Sequence, residues 1–152
     1  MTFSVYPPIV EPRPPATKTG ALVTGGPISL FTIAGGRVLV FGLLAEVTTV
    51  VGAGVTSLAL EANPSAAGAN TALCTAGVIT AAPVGSMFGL TGAVANALQV
   101  VLATQGAMQG MTTPLIIAPG GIELVVTGGT TGACTWRVLW SPIDAGATLV
   151  AA

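Results

Sequence analysis

The chain has 152 residues, enough for one domain with its own core, and a formal net charge of −1. Charged residues make up 6%, hydrophobic residues 52% and aromatics 5%, where about a quarter charged is ordinary for a soluble domain. Four basic residues exclude a nucleic-acid footprint, the lack of histidine excludes Ser-His-Asp and Cys-His catalysis, and the interrupted apolar runs exclude a spanning helix.

The N-terminus, Met1 to Pro8, has no basic region followed by an apolar run, so it does not read as a signal peptide, and the chain is expected to be made in the cytoplasm. Residues 1–20 read as an extended arm. Pro7, Pro8, Pro12, Pro14 and Pro15 fix φ and remove donors there. Two readings stay open: a disordered terminus, or a strap over a neighbouring subunit. On the second, Tyr6, Pro7, Pro8, Ile9, Val10 and Arg13 are the candidate inter-subunit contacts.

Residues 21–152 read as a single domain. Ile28 to Ala34 has strand character, and Gly35-Gly36 followed by Arg37 to Val47 gives a β-hairpin signal. Arg37 to Leu44 is apolar on both faces, and Gly42 within it points to a bulge or a close approach. Val55 to Ala62 alternates, and Asn63-Pro64 ends it.

From Ala62 to Ile122 there is no Asp, Glu, Lys, Arg or His. Such a segment must be packed, inside its own fold or against another chain. Within it, Thr71 to Thr80, Ser86 to Thr91, Asn96 to Thr104 and Pro114 to Ala118 read as strands, with residues 105–113 a polar loop and Pro119-Gly120-Gly121 a turn. Ile122 to Thr127 and Ala133 to Ser141 are expected to pair across Gly128 to Gly132. Trp136, Val138 and Trp140 share one face of the last strand, a core face in preference to an interface. Pro142 ends it, and Asp144 to Ala152 reads as a small-residue tail. The whole is an all-β fold: a jelly-roll-like β-sandwich or a barrel of about eight to nine strands behind a proline-rich arm.

Little catalytic vocabulary is present. Glu11, Glu46, Glu61, Glu123 and Asp144 are the carboxylates, and those on strands read as solvated faces or edge-blunting charges rather than an acid–base pair. Gly20 to Gly26 lacks the Lys-Ser/Thr of a phosphate loop, and Gly52-Ala53-Gly54 lacks the third glycine of a dinucleotide loop. Cys74 and Cys134 have no neighbouring ligand, so they read as buried free thiols in preference to a disulfide, with no metal and no cofactor expected. Arg37 and Arg137 sit in apolar strands and invite carboxylate partners on this chain or a neighbour.

Ser29 to Gly36, Leu73 to Ala76 and Thr135 to Pro142, with the closing Ser-Pro-Ile-Asp-Ala-Gly-Ala run, resemble small virion proteins of tailed bacteriophages. The resemblance spans Pro27 to Ala147 and leaves the arm outside. It implies a β-sandwich subunit that decorates or cements a capsid or builds tail parts, with no catalytic residues to carry over. The expectation is a non-enzymatic capsid decoration or cement protein on the virion surface. It forms a homo-oligomer, a trimer in preference, against the major capsid protein or other virion subunits, and touches neither nucleic acid nor membrane. Alternatives are a tail tube, tail-tip or fibre component, and a carbohydrate-binding sandwich.

Overall fold

A computed structural model describes residues 11–129 and 131–152. Period-two alternation of apolar and polar side chains runs through these residues, and they form twelve strands and no helix. The strands are β1 (Ala16–Ala21), β2 (Ile28–Ala34), β3 (Val38–Thr49), β4 (Val55–Pro64), β5 (Thr71–Ala72) and β6 (Gly77–Val78). They continue with β7 (Met87–Gly89), β8 (Gln99–Val101), β9 (Leu115–Ile117), β10 (Gly120–Gly128), β11 (Ala133–Pro142) and β12 (Thr148–Ala151).

They build two antiparallel sheets. The first has the order β1-β11-β3-β7-β8, with β9 sharing the second edge of β3 end to end with β7. The second has the order β12-β2-β10-β4-β5, and β6 shares the outer edge of β4 with β5. One cluster of buried side chains draws on both sheets, with Phe31, Leu60 and Ile122 from one and Phe88, Trp136 and Val138 from the other. The arrangement is sandwich-like and not a closed barrel, and it holds more strands than the sequence pattern indicates.

Bulges set which side chains reach the core. On β3, Val38 and Val40 are buried, then Leu43, Ala45 and Val47, so the phase slips by one residue between them. The ladder with β11 shifts there, from Trp140 opposite Val40 to Leu139 opposite Gly42. Gly42 is also a close approach, since a Cβ on it would lie 2.8 Å from Leu139 Cδ1. Both expectations for Gly42 hold. A second shift, between Ile122 and Glu123 opposite β2, lets the adjacent Leu30 and Phe31 both face inward.

Several pairings differ from the sequence reading. Gly35-Gly36 does not close a hairpin: β2 and β3 lie in different sheets, so the connection arches across the core. Gly36 passes so close to Asp144 that an added Cβ would come within 2.6 Å of the Asp144 Cβ. Gly128 to Gly132 likewise leads from one sheet to the other, and β10 pairs with β2 and β4 rather than with β11. A hairpin and an arch present the same alternating pattern around the same glycines, so the pattern alone does not separate them.

Gly120 and Gly121 open β10 instead of turning the chain before it. The expected boundary at residue 20 falls inside β1, which pairs with β11 from Ala16 opposite Val138 to Ala21 opposite Ala133. The tail contains β12, which runs antiparallel to β2. The expected strands at 71–80, 86–91 and 96–104 shrink to two or three residues each. In the last of these, residues 96–98 leave the β7–β8 ladder and bond to Thr75, which stitches the two sheets together along that side.

Candidate interaction surfaces

Of the residues expected at a subunit contact, Tyr6, Pro7, Pro8, Ile9 and Val10 lie outside the described residues. Arg13 is described and exposed, and its backbone N–H donates to the Trp140 carbonyl at 3.0 Å. The structure shows two surfaces at opposite ends of the sandwich whose chemistry differs.

The first end is built by the connections after β1, β3, β6 and β8. Hydrogen bonds tie them together: Leu22 N–H to the Gly132 carbonyl at 2.9 Å, Val51 to Ala82 at 3.0 Å, Gly52 to Thr131 at 3.1 Å and Gly85 to Val47 at 2.9 Å. The Ala103 N–H donates to Ser86 Oγ at 3.2 Å, which joins the chain after β8 to the same end. Residues 22–27, 50–54, 79–86 and 102–106 contain no ionisable side chain.

Val50 is 54% exposed, Val84 53%, Val23 45% and Leu102 44%, so these connections turn large aliphatic groups to solvent rather than inward. Ala81 sits in the same group of connections with φ of 56°, a left-handed conformation that costs a non-glycine residue about 1–2 kcal/mol. The result is an uncharged tip with exposed aliphatic side chains, several of whose backbone groups are paired within it. Exposed aliphatic groups at one end of a fold, with no charge on the same connections, make that end a candidate for contact with another macromolecule.

The opposite end carries charge and a groove of about 690 Å³ between the edge strands β1 and β12. Its lining includes Pro14, Trp140, Pro142, Ile143, Leu149 and Val150. Trp140 is 6% exposed, and its indole N–H has no acceptor among the described residues. The Ser141 hydroxyl, beside it in sequence, is likewise buried and unpartnered among them. Asp144 stands on the rim, where it receives the Arg37 backbone N–H at 2.8 Å, Nε at 2.9 Å and Nη2 at 2.7 Å. Hydrogen bonds from the Arg37 side chain and backbone hold the Asp144 carboxyl well below its usual range, and the same contact raises the Arg37 guanidinium. This fork clamps the β2–β3 arch to the connection before β12.

The remaining polar features lie on the outer sheet faces. Arg137 Nη1 is 3.8 Å from Glu46, a loose exposed pair of little energetic weight. Both arginines singled out in the sequence thus have carboxylates on their own chain. Glu61 and Glu123 stand directly opposite each other on β4 and β10, a juxtaposition set by register that their sequence positions do not disclose. Asn70 donates to Glu61 at 2.7 Å and Asn63 to Glu123 at 3.0 Å. Cys74 and Cys134 are buried free thiols, as expected; burial raises both, Cys134 up to about 12.

Met108 lies on the outer face of the first sheet, its Cε 2.7 Å from where a Gly89 Cβ would stand. Among the described residues no group of three or more His, Cys, Asp or Glu side chains could hold a metal ion, and no helix is long and apolar enough to cross a membrane. Comparison with protein-family models, curated proteins and solved structures finds no match for this chain.

Proposed function

We propose that this protein is a structural subunit of a tailed-bacteriophage particle, a decoration or cement protein that bridges capsomers on the head. The observation that carries the reading is the neutral tip, where Val23, Val50, Val84 and Leu102 are exposed on connections without charge. Exposed aliphatic side chains on connections without charge gain by burial against another protein and offer little to a charged ligand. The resemblance of Ser29 to Gly36 and Thr135 to Pro142 to small virion proteins supplies the setting.

The work is mechanical. Each subunit buries apolar area across a joint between capsomers and so raises the cost of pulling them apart. Closed symmetry is the default for such subunits, and a homotrimer suits a site of local three-fold symmetry on a shell. The partners are copies of this chain and the major capsid protein.

The test is co-sedimentation of purified protein with head particles that lack it. Wild type is expected to pellet with the particles. A Val50→Asp, Val84→Asp double variant keeps its fold, since both positions are half exposed and such surface changes usually cost under about 0.5 kcal/mol each. It is expected to stay in the supernatant. A folded double variant that pellets as well as wild type would overturn the reading.

A further inference from the structure

The two sheets turn chemically different faces outward. An antiparallel sheet with one solvated side normally shows polar residues there. The second sheet follows that rule, with Ser29, Thr32, Ser57, Glu61, Asn63 and Glu123 on its outer side. β3, at the centre of the first sheet, breaks it. Val38, Val40, Leu43, Ala45 and Val47 are buried in the core, yet Leu39, Phe41 and Leu44 among them point the other way. Leu139 of β11 and Ile116 of β9 share that outer side, opposite Gly42 and Leu39 in the ladders. Ile116 is 67% exposed. Met108 overlies the margin of this face at Gly89. The described strands form two layers, so no third sheet covers the rest.

Charge selects a second copy as the cover. Arg137 and Glu46 are the ionisable side chains that these strands turn outward, one of each sign, 3.8 Å apart. Their side chains are 44% and 50% exposed. Such a face complements its own image after a two-fold rotation. The outer face of the second sheet does not: Glu61 and Glu123 lie there and its strands carry no cation, so it would repel its own copy.

Geometry agrees. A two-fold axis along the seam between β3 and β11 sets β3 of one copy over β11 of the other. Leu39 and Phe41 then come over Leu139, and Arg137 of each copy comes over Glu46 of the other. The rotation keeps the strand direction, which is the aligned arrangement favoured by sheets packed face to face. Five strands about 4.8 Å apart, and the ten residues of β11 at about 3.4 Å each, give a face of about 800 Å². A standard interface buries about that area on each partner.

We propose that the outer face of the first sheet packs against the same face of a second copy, about a two-fold axis between β3 and β11. This contact is separate from the tip. A three-fold arrangement made elsewhere on the subunit leaves the face free, so the pairing would join one trimer to the next.

The test is the mass of the purified full chain by sedimentation equilibrium, across a concentration series at low salt, with folding checked by circular dichroism. Wild type is expected to associate in even numbers of copies. Arg137→Glu and Glu46→Arg each set like charges across the axis twice, and each alone is expected to weaken association about tenfold or more. An equal mixture of the two variants is expected to restore it, because every reversed charge then faces its opposite. Glu61→Arg changes the net charge by the same amount as Glu46→Arg but lies on the other sheet, and is expected to leave association unchanged.

A wild type that stays monomeric at every concentration, or that forms a trimer and nothing larger, overturns the proposal. So do single variants that associate as wild type does, and so does a loss that mixing fails to restore. Co-sedimentation with head particles through the tip is a separate measurement, so the capsid reading stands or falls independently of these results.

Discussion

Replacing Trp136 with alanine tests whether the first sheet is organised around one buried ring. Trp136 is 1% exposed and lies on β11 between Lys18 of β1 and Ala45 of β3 in the ladders. An aromatic side chain buries about 150–250 Å². At about 25 cal/mol per Å² that is roughly 4–6 kcal/mol of transfer free energy. The alanine methyl keeps part of it, and a compact unfolded chain removes another part. The expected loss is therefore about 3–5 kcal/mol, the range found for large-to-small changes at buried aromatics.

The assay is equilibrium urea unfolding followed by the fluorescence of Trp140. With a slope of about 2 kcal/mol per molar for a small domain, the midpoint should fall by about 2 M. Trp136→Phe, which keeps a ring, should lose less than half as much. A midpoint shift under about 0.5 M for Trp136→Ala, at unchanged slope, would place this face at the surface and refute the core described above.

Three further outcomes are expected. Glu123→Gln removes a like charge facing Glu61 while leaving an oxygen for Asn63, so it should stabilise the fold by about 0.2–1 kcal/mol at low salt, an increment that shrinks at 1 M salt; a destabilised variant in urea unfolding would count against the register. Asp144 has a folded-state value below its ordinary 3.8, so its contribution is fully present above that pH and is lost as the pH falls through the lower folded value. Thermal melts should show wild type losing stability more steeply than Asp144→Asn below about pH 4, and parallel acid profiles would argue against the clamp. Native protein at pH 8 should leave both thiols unreacted with a disulfide reagent until denaturant is added, because Cys74 and Cys134 are 2% and 0% exposed; rapid labelling of either would mean that the core opens locally.

The strands that carry the core were legible because each combines length with clean alternation. Residues 55–62 and 133–141 are of this kind, and Gly42 gave away the bulge because a glycine inside an apolar strand has few other uses. The edges were not legible. β1 alternates only Ala, Thr, Lys and Gly, and β12 is four residues long, so each is a strand through the neighbour it pairs with and not through its own pattern. Pairing was misread for a different reason. Gly35-Gly36 and Gly128 to Gly132 announce a change of direction but not whether the chain returns to the same sheet.

The two surfaces were hidden in the same way. Val23, Val50, Val84 and Leu102 are scattered in sequence and share an end only after folding. The groove needs Arg13 and Val150 from opposite ends of the chain. The missing charge between Ala62 and Ile122 points to Val84 and Leu102 but not to Val23 and Val50, which precede that stretch.

The arches bear on how the molecule is made. Only the links β4–β5, β5–β6, β7–β8 and β8–β9 stay within a sheet, and the longest strands are all joined across the interior. Neither layer can be finished while the other is absent, so the nascent polypeptide gains little from early local pairing and must bring distant segments together at once. Such topologies condense slowly, on the order of milliseconds to seconds. Throughout that interval a chain with few repelling charges has its aliphatic groups uncovered, which makes the window before the two layers meet the stage most sensitive to concentration and temperature during production of the protein.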